Sequence, residues 1–201
     1  MKDLETKKFL ARAEQLGITL DPRYSQSAVL MFVAGGGDSR FWEVPSKPER
    51  RPALFDCLLD LFGNWQSCYV WRHLGRWPAA TDIDPLRIND VVEYHILTGL
   101  GLPLGTDKVV EFDRKEFGAL ITLLFSTCIF GWSVGEDTYV VPDHGRYLLQ
   151  TDHHNVIHVV FRNATDVGPF VKQMAEWDFP LPDDTPDATF KRPGWMPTSG
   201  D

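Results

Sequence analysis

The sequence predicts an α+β fold, a mostly antiparallel sheet with helices packed on one face. Two observations predict it: Leu- and Phe-rich stretches with helical spacing, and short β-branched or aromatic runs bounded by turn residues, both found along the 201 residues. The chain is also 43% hydrophobic and 24% charged, as is usual for globular domains with a buried core. We therefore expect a single α+β domain over residues 1–201, with an extended tail over 180–201.

The first half of the chain is predicted to hold two helices and three strands. Apolar residues at helical spacing predict an amphipathic helix over 2–16. Apolar runs at 28–33 and 41–44, joined by a Gly-rich loop, predict a β-hairpin. A second helix is predicted over 48–62, with a proline in its first turn, and an alternating pattern predicts a strand over 68–73.

The second half begins with a similar order of elements. Apolar runs predict strands over 91–98 and 108–112, and helical spacing predicts a helix over 117–128. This similarity suggests a pseudo-duplication of a β-β-α-β unit, with halves at 20–80 and 88–180.

The last third of the chain is predicted to form a β-meander followed by a helix. Turn residues at 143–145 and 152–155 separate three apolar runs, the last of them rich in β-branched residues. Helical spacing then predicts a helix over 165–177 that packs its aromatic and aliphatic side chains inward.

Charge and cysteine content restrict the partners and the compartment. With 20 basic and 28 acidic residues the net charge is −8, which disfavours nucleic acid and anionic membranes and favours a protein partner with a basic surface. The N-terminus has no apolar signal region, and no stretch is long and apolar enough to span a bilayer. The cysteines, Cys57, Cys68 and Cys128, form no CxxC motif, which indicates a reducing, cytoplasmic location.

A histidine-rich stretch is the candidate metal site. His144, Asp152, His153 and His154 have side chains that bind divalent metals such as zinc. His154 and His158 would be neighbours on a helix, but on the strand that the sequence predicts they stand roughly 13 Å apart. The alternative is therefore a turn within the meander, with the histidines on the surface and no cofactor.

Tryptophans provide the candidate binding surface. Trp42, Trp71, Trp77 and Trp132, together with Arg72, could line a ligand groove or a protein interface, where aromatic residues and arginine are enriched. The alternative is that these rings belong to the core.

The sequence carries no GxSxG or other catalytic signature, which favours a non-catalytic, intracellular protein-interaction domain of a bacterial type. In size and acidity the chain is similar to immunity proteins that neutralise toxins. Two alternatives remain: a metal-dependent hydrolase that uses the His/Asp cluster at 143–158, and a small-ligand-binding module between the two pseudo-repeats.

Overall fold

A computed structural model describes residues 1–21, 29–33, 37–72, 77, 86, 88–102, 105, 107–130, 137–152 and 155–182. The strands within these ranges are β1 (Lys2–Glu5), β2 (Ile18–Leu20), β3 (Leu30–Phe32), β4 (Asp38–Glu43), β5 (Ser67–Arg72), β6 (Lys108–Asp113), β7 (Thr138–Pro142), β8 (Tyr147–Thr151) and β9 (Val156–Phe161). The helices are α1 (Thr6–Gln15), α2 (Arg51–Leu61), α3 (Ile88–Gly99), α4 (Phe117–Phe130) and α5 (Val167–Glu176).

Seven of the strands form one antiparallel sheet in the order β1-β6-β5-β7-β8-β9-β4, and β2 and β3 pair separately. The predicted α+β fold class is therefore confirmed. The predicted meander is confirmed too, because β7, β8 and β9 are consecutive neighbours and α5 follows them.

One face of the sheet carries helices α2, α3, α4 and α5. Alternate strand residues point toward them, among them Cys68, Val70 and Phe112, and these side chains are completely buried. The helices complete this core with apolar residues at helical spacing, such as Leu58 on α2 and Leu124 on α4. This is the larger of the two apolar cores.

The opposite face of the sheet is covered by α1 and the β2–β3 pair. Phe9 of α1 packs against Tyr69 and Trp71 of β5, with ring centroids 5.9 Å away in each case. The sequence predicted that the helices pack on one face of the sheet. Helix α1 differs from this prediction, because its short apolar stripe covers the opposite face of β5, β6 and β7.

Two of the predicted elements are wrong in type. Residues 2–5 were expected to start the first helix, yet they form β1, which pairs with β6 and is held by an Asp3–Lys108 ion pair of 2.9 Å. Residues 91–98 were expected to be a strand but belong to α3. A short apolar run fits either period, and Glu93 and Leu97 share one buried helical face here.

The predicted β-hairpin between 28–33 and 41–44 is wrong as well. β3 pairs with β2, whereas β4 pairs along six residues with β9, more than a hundred residues away in sequence. The order strand–helix–strand still recurs, as β4–α2–β5 and β6–α4–β7, but a helix, α3, precedes the second copy.

Candidate functional site

A groove of about 790 Å³ runs along the outer side of α2, between the start of α4 and the end of α5. We call it the α2 groove. Its apolar floor consists of Ala53, Cys57, Phe117, Trp177 and Phe179. Its charged residues are Arg50, Asp56, Asp60, Arg114 and Asp178. The groove continues past Arg50 and Phe179 into a smaller depression of about 320 Å³ whose lining includes Trp42 and Pro180.

Helix α2 presents one of its faces to this groove. Ala53, Asp56, Cys57 and Asp60 follow at intervals of three and four residues, which places them on one side of a helix. The opposite side of α2 is fully buried in the core, so the position of the helix is determined by packing.

The far wall of the groove depends on how α5 ends. Asp178 has a left-handed backbone, with φ at 65°. Its N–H bonds the Ala175 carbonyl, and the N–H of Phe179 bonds the Met174 carbonyl at 2.9 Å. These are the two hydrogen bonds of a Schellman motif. The motif turns the chain sharply and brings Phe179 back to the floor of the groove.

The start of α4 is held by a capping box. The Asp113 carboxylate accepts a hydrogen bond from the Lys115 N–H, and the Glu116 carboxylate accepts one from the Asp113 N–H, each 2.9 Å long. This turn sets Arg114 at the second wall of the groove and Phe117 at its floor.

The two arginines of the α2 groove lie against aromatic rings. The Arg50 guanidinium is 4.8 Å from the centroid of the Phe179 ring, and Arg114 lies 4.7 Å from Trp65 and 4.8 Å from Phe117. Each arginine also meets a carboxylate: Arg50 is 2.9 Å from Asp178, and Arg114 is 3.7 Å from Asp60. The arginine side chains are therefore only 39% and 38% exposed.

The carboxylates, by contrast, project into solvent. The side chains of Asp60 and Asp178 are 62% and 83% exposed, and Asp56 is exposed beside them. Because the three acids around the apolar floor outnumber the two arginines and are more exposed than they are, the surface attracts cations and apolar groups together.

The thiol in the α2 groove is a poor nucleophile. Burial, and then the charges of Asp56 and Asp60, raise the pKa of Cys57. Burial raises the pKa of Cys68 well above its usual value and that of Cys128 to about 12. These thiols stay protonated near neutral pH.

The two described members of the predicted metal site, His144 and Asp152, lie at opposite ends of a strand. His144 lies in the turn before β8, where its Nε2–H donates to the Phe62 carbonyl at 2.9 Å and its Nδ1 accepts from the Arg146 N–H at 3.1 Å. Both ring nitrogens are thus engaged. Asp152 follows β8 at its other end, about 17 Å away along a five-residue strand.

Only part of the rest of the predicted metal cluster lies within the described residues. Asp152 lies 3.4 Å from Nε2 of His158. His153 and His154 lie outside the described residues. Among the residues that are described, no group of three or more His, Cys, Asp or Glu side chains could hold a metal ion.

The three predicted binding tryptophans that the structure describes lie in the core. Trp42, Trp71 and Trp77 are 2%, 1% and 2% exposed. The indole N–H of Trp42 donates to the Phe179 carbonyl at 3.0 Å and that of Trp77 to the Lys108 carbonyl at 2.9 Å. The N–H of Trp71 is buried without a hydrogen-bond partner among the described residues. Trp132 lies outside the described residues.

Arg72, the cation predicted to bind with these rings, is buried as well. It lies at the end of β5 on the helical face and forms a 2.7 Å ion pair with Glu93 of α3, and the two side chains are 4% and 8% exposed. The pair links α3 to the sheet.

Sequence reasoning missed the α2 groove. Its residues come from α2, the start of α4 and the segment after α5, and only the fold brings them together. The available signal was the run of Ala53, Asp56 and Asp60 on the polar side of a predicted helix, which is also the pattern of any solvated face.

Comparison with known proteins supplies no relative. No protein-family model, curated protein or solved structure matches the chain. Within the described part of the chain, no helix has both the length and the apolar character needed to cross a membrane. The function must therefore be argued from the residues and their geometry.

Proposed function

We propose that the protein is a non-catalytic interaction domain that binds a protein partner with a basic surface. The observation that carries the proposal is the α2 groove, where exposed carboxylates surround an apolar floor. Protein interfaces combine a desolvated aromatic centre with a polar rim, and complementary charge selects the partner. The net charge of −8 extends this preference over the whole molecule.

The state of the candidate catalytic groups also supports an interaction role. Both His144 nitrogens bond the backbone, and the three thiols have raised pKa values, so none of these groups is prepared for nucleophilic or acid–base work. The described tryptophans of the predicted binding surface are packed in the core, which favours a surface groove over an enclosed ligand pocket.

In its most specific form the proposal describes an immunity-type protein, in which the partner is a toxin and binding blocks it. The small size and acidity of the chain motivate this form. It requires that the partner be toxic alone and harmless in complex.

Site-specific photo-crosslinking in cells that naturally make the protein tests the proposal. We expect a crosslinking amino acid at Ala53, in the groove, to give a discrete adduct with a protein that carries a basic segment. The same amino acid at Glu14, on exposed α1, is the control. Purified partner should then bind the unmodified chain stoichiometrically, and co-expression should relieve any toxicity. Adducts that are identical at both positions, or absent at Ala53, would contradict the proposal.

A further inference from the structure

The α2 groove already shows how it holds cations. Arg50 and Arg114 each lie over an aromatic ring, with 4.7 to 4.8 Å between Cζ and the ring centroid, and each lies near a carboxylate. The same arrangement of ring, cation and acid therefore occurs at both ends of the groove, at Arg50 and at Arg114. Such contacts gain strength when they are partly desolvated, as they are here.

Between these two ends lies a third pair of the same kinds of side chain. The partly exposed Trp177 ring lies along the groove with Asp56, and among the described residues neither has a cation of the chain against it. Asp56 and Trp177 therefore present to a cationic group of a ligand the same two contacts, a carboxylate and an aromatic ring, that Arg50 and Arg114 make within the protein.

We propose that the α2 groove binds an extended segment of a partner protein in which arginine or lysine stands next to an aromatic residue. The basic side chain lies against Trp177 and faces Asp56 and Asp60, and the aromatic side chain occupies the floor beside Cys57 and Phe117. This inference rests on the proposed function, since it names the surface and the chemistry by which the domain recognises its partner.

Charge disfavours two other occupants. The three carboxylates of the groove outnumber its two less exposed arginines, which disfavours phosphate-bearing ligands, and a second copy of the chain would bring a surface of net charge −8 against them. The groove is broadly open to solvent, which fits an extended chain better than a small molecule.

Peptide binding to the full chain tests the inference. The probe is fluorescein-labelled Gly-Phe-Arg-Arg-Trp-Gly, with Gly-Phe-Glu-Glu-Trp-Gly and Gly-Ala-Arg-Arg-Ala-Gly as matched controls, measured by fluorescence anisotropy. We expect saturable binding of the first peptide, at least about tenfold weaker binding of each control, and weaker binding as salt is raised. Both the charge and the rings are thus tested.

Variants locate the binding site. Asp56→Asn with Asp60→Asn, or Trp177→Leu, should weaken binding of the first peptide by about tenfold or more. The exposed pair Glu14→Gln with Asp38→Asn removes the same charge elsewhere and should change it less than about twofold. Circular dichroism of each variant confirms that its fold is kept, and a misfolded Trp177→Leu leaves the double asparagine variant to decide.

The outcomes separate this inference from the broader function. Two outcomes overturn the groove chemistry and leave the interaction role intact. One is an equal loss of peptide affinity in the groove and control variants, and the other is no saturable peptide binding while Ala53 still crosslinks to a partner. A dimer in sedimentation equilibrium that the double asparagine variant dissociates would also overturn it. Failure of both peptide binding and crosslinking rejects both proposals.

Discussion

The imidazole of His144 bridges two backbone segments, the loop after α2 and the turn before β8. Its neighbour Asp143 acts in the same way, since its carboxylate accepts hydrogen bonds from the N–H groups of Gln66 and Ser67 at 3.1 and 3.0 Å. Buried or partly buried backbone donors need such partners. Asp and His are therefore used here to join loops, although the same residue types can bind metals.

The Arg72–Glu93 pair gives a prediction at the residue scale. Removing one member leaves the other charge buried, so Arg72→Met should lower the free energy of unfolding by about 3–5 kcal/mol. The double variant Arg72→Met with Glu93→Leu should recover most of that loss, because it replaces both charges by apolar groups. Urea denaturation of Arg72→Met, Glu93→Leu and the double variant completes the double-mutant cycle. A loss below about 1 kcal/mol for Arg72→Met would contradict the strength assigned to this buried pair.

At the scale of elements, β4 pairs with β9 as the last strand of the sheet and brings Trp42 over the larger core. Gly37 precedes β4 and lies so close to Phe161 that a Cβ atom there would collide with the Phe161 carbonyl. The glycine is thus required by the close approach of two backbones.

Alanine at Gly37 should therefore destabilise the protein. We expect a loss of about 1–3 kcal/mol, since backbone cannot move aside as a side-chain end can. Gly118→Ala is the matched control: at this exposed helical glycine an added Cβ atom would meet open space, and alanine should stabilise α4 by about 0.5–1 kcal/mol. Urea denaturation measures both, and equal shifts of one sign would refute the assigned contact.

Helix and strand types followed from the sequence wherever the pattern was long. α2, α4, α5 and the meander β7–β9 were predicted because their apolar periods extend over several turns or strands. The types of β1 and α3 were predicted wrongly because runs of four or eight residues fit both the helical and the strand period. The tertiary contacts of each element decide its type: β1 pairs with β6, and α3 carries Glu93, which pairs with the buried Arg72.

At the scale of the whole molecule, two cores on opposite faces of one sheet bury many weakly acidic side chains. Burial is the largest cause that raises the pKa of three thiols and three phenols: Cys57, Cys68, Cys128, Tyr69, Tyr139 and Tyr147. Each of these groups is therefore protonated over a wider pH range in the folded protein than in the unfolded chain.

Alkaline pH should consequently unfold the protein. Below pH 9 both states keep the Cys128 proton, so its stabilising contribution is complete, and it is lost as pH rises from 9.0 toward about 12, because only the unfolded thiol ionises. One such group contributes a slope of at most about 1.4 kcal/mol per pH unit. Urea denaturation between about pH 8 and pH 11 measures the decline, and Cys128→Val should reduce its slope. Stability that stays constant over this range would exclude the effect.

The candidate site was less predictable than the fold. The predicted tryptophans and Arg72 are chemically suited to binding, but burial decides whether such side chains meet a ligand, and burial is a property of the packed molecule. The α2 groove was not predicted, since Trp177 and Phe117 are sixty residues apart in sequence and become neighbours only when α4 and α5 pack beside α2.

The amino-acid sequence by itself determined the acidic charge, the α+β class, the long helices and the C-terminal meander, because composition and hydrophobic period are local properties. Only the tertiary structure decided which strands pair, which face α1 covers and where carboxylates surround an apolar floor. Strand partners and surface grooves depend on backbone hydrogen bonds and packing between residues far apart in the chain, and no short window of sequence contains both sides of such a contact.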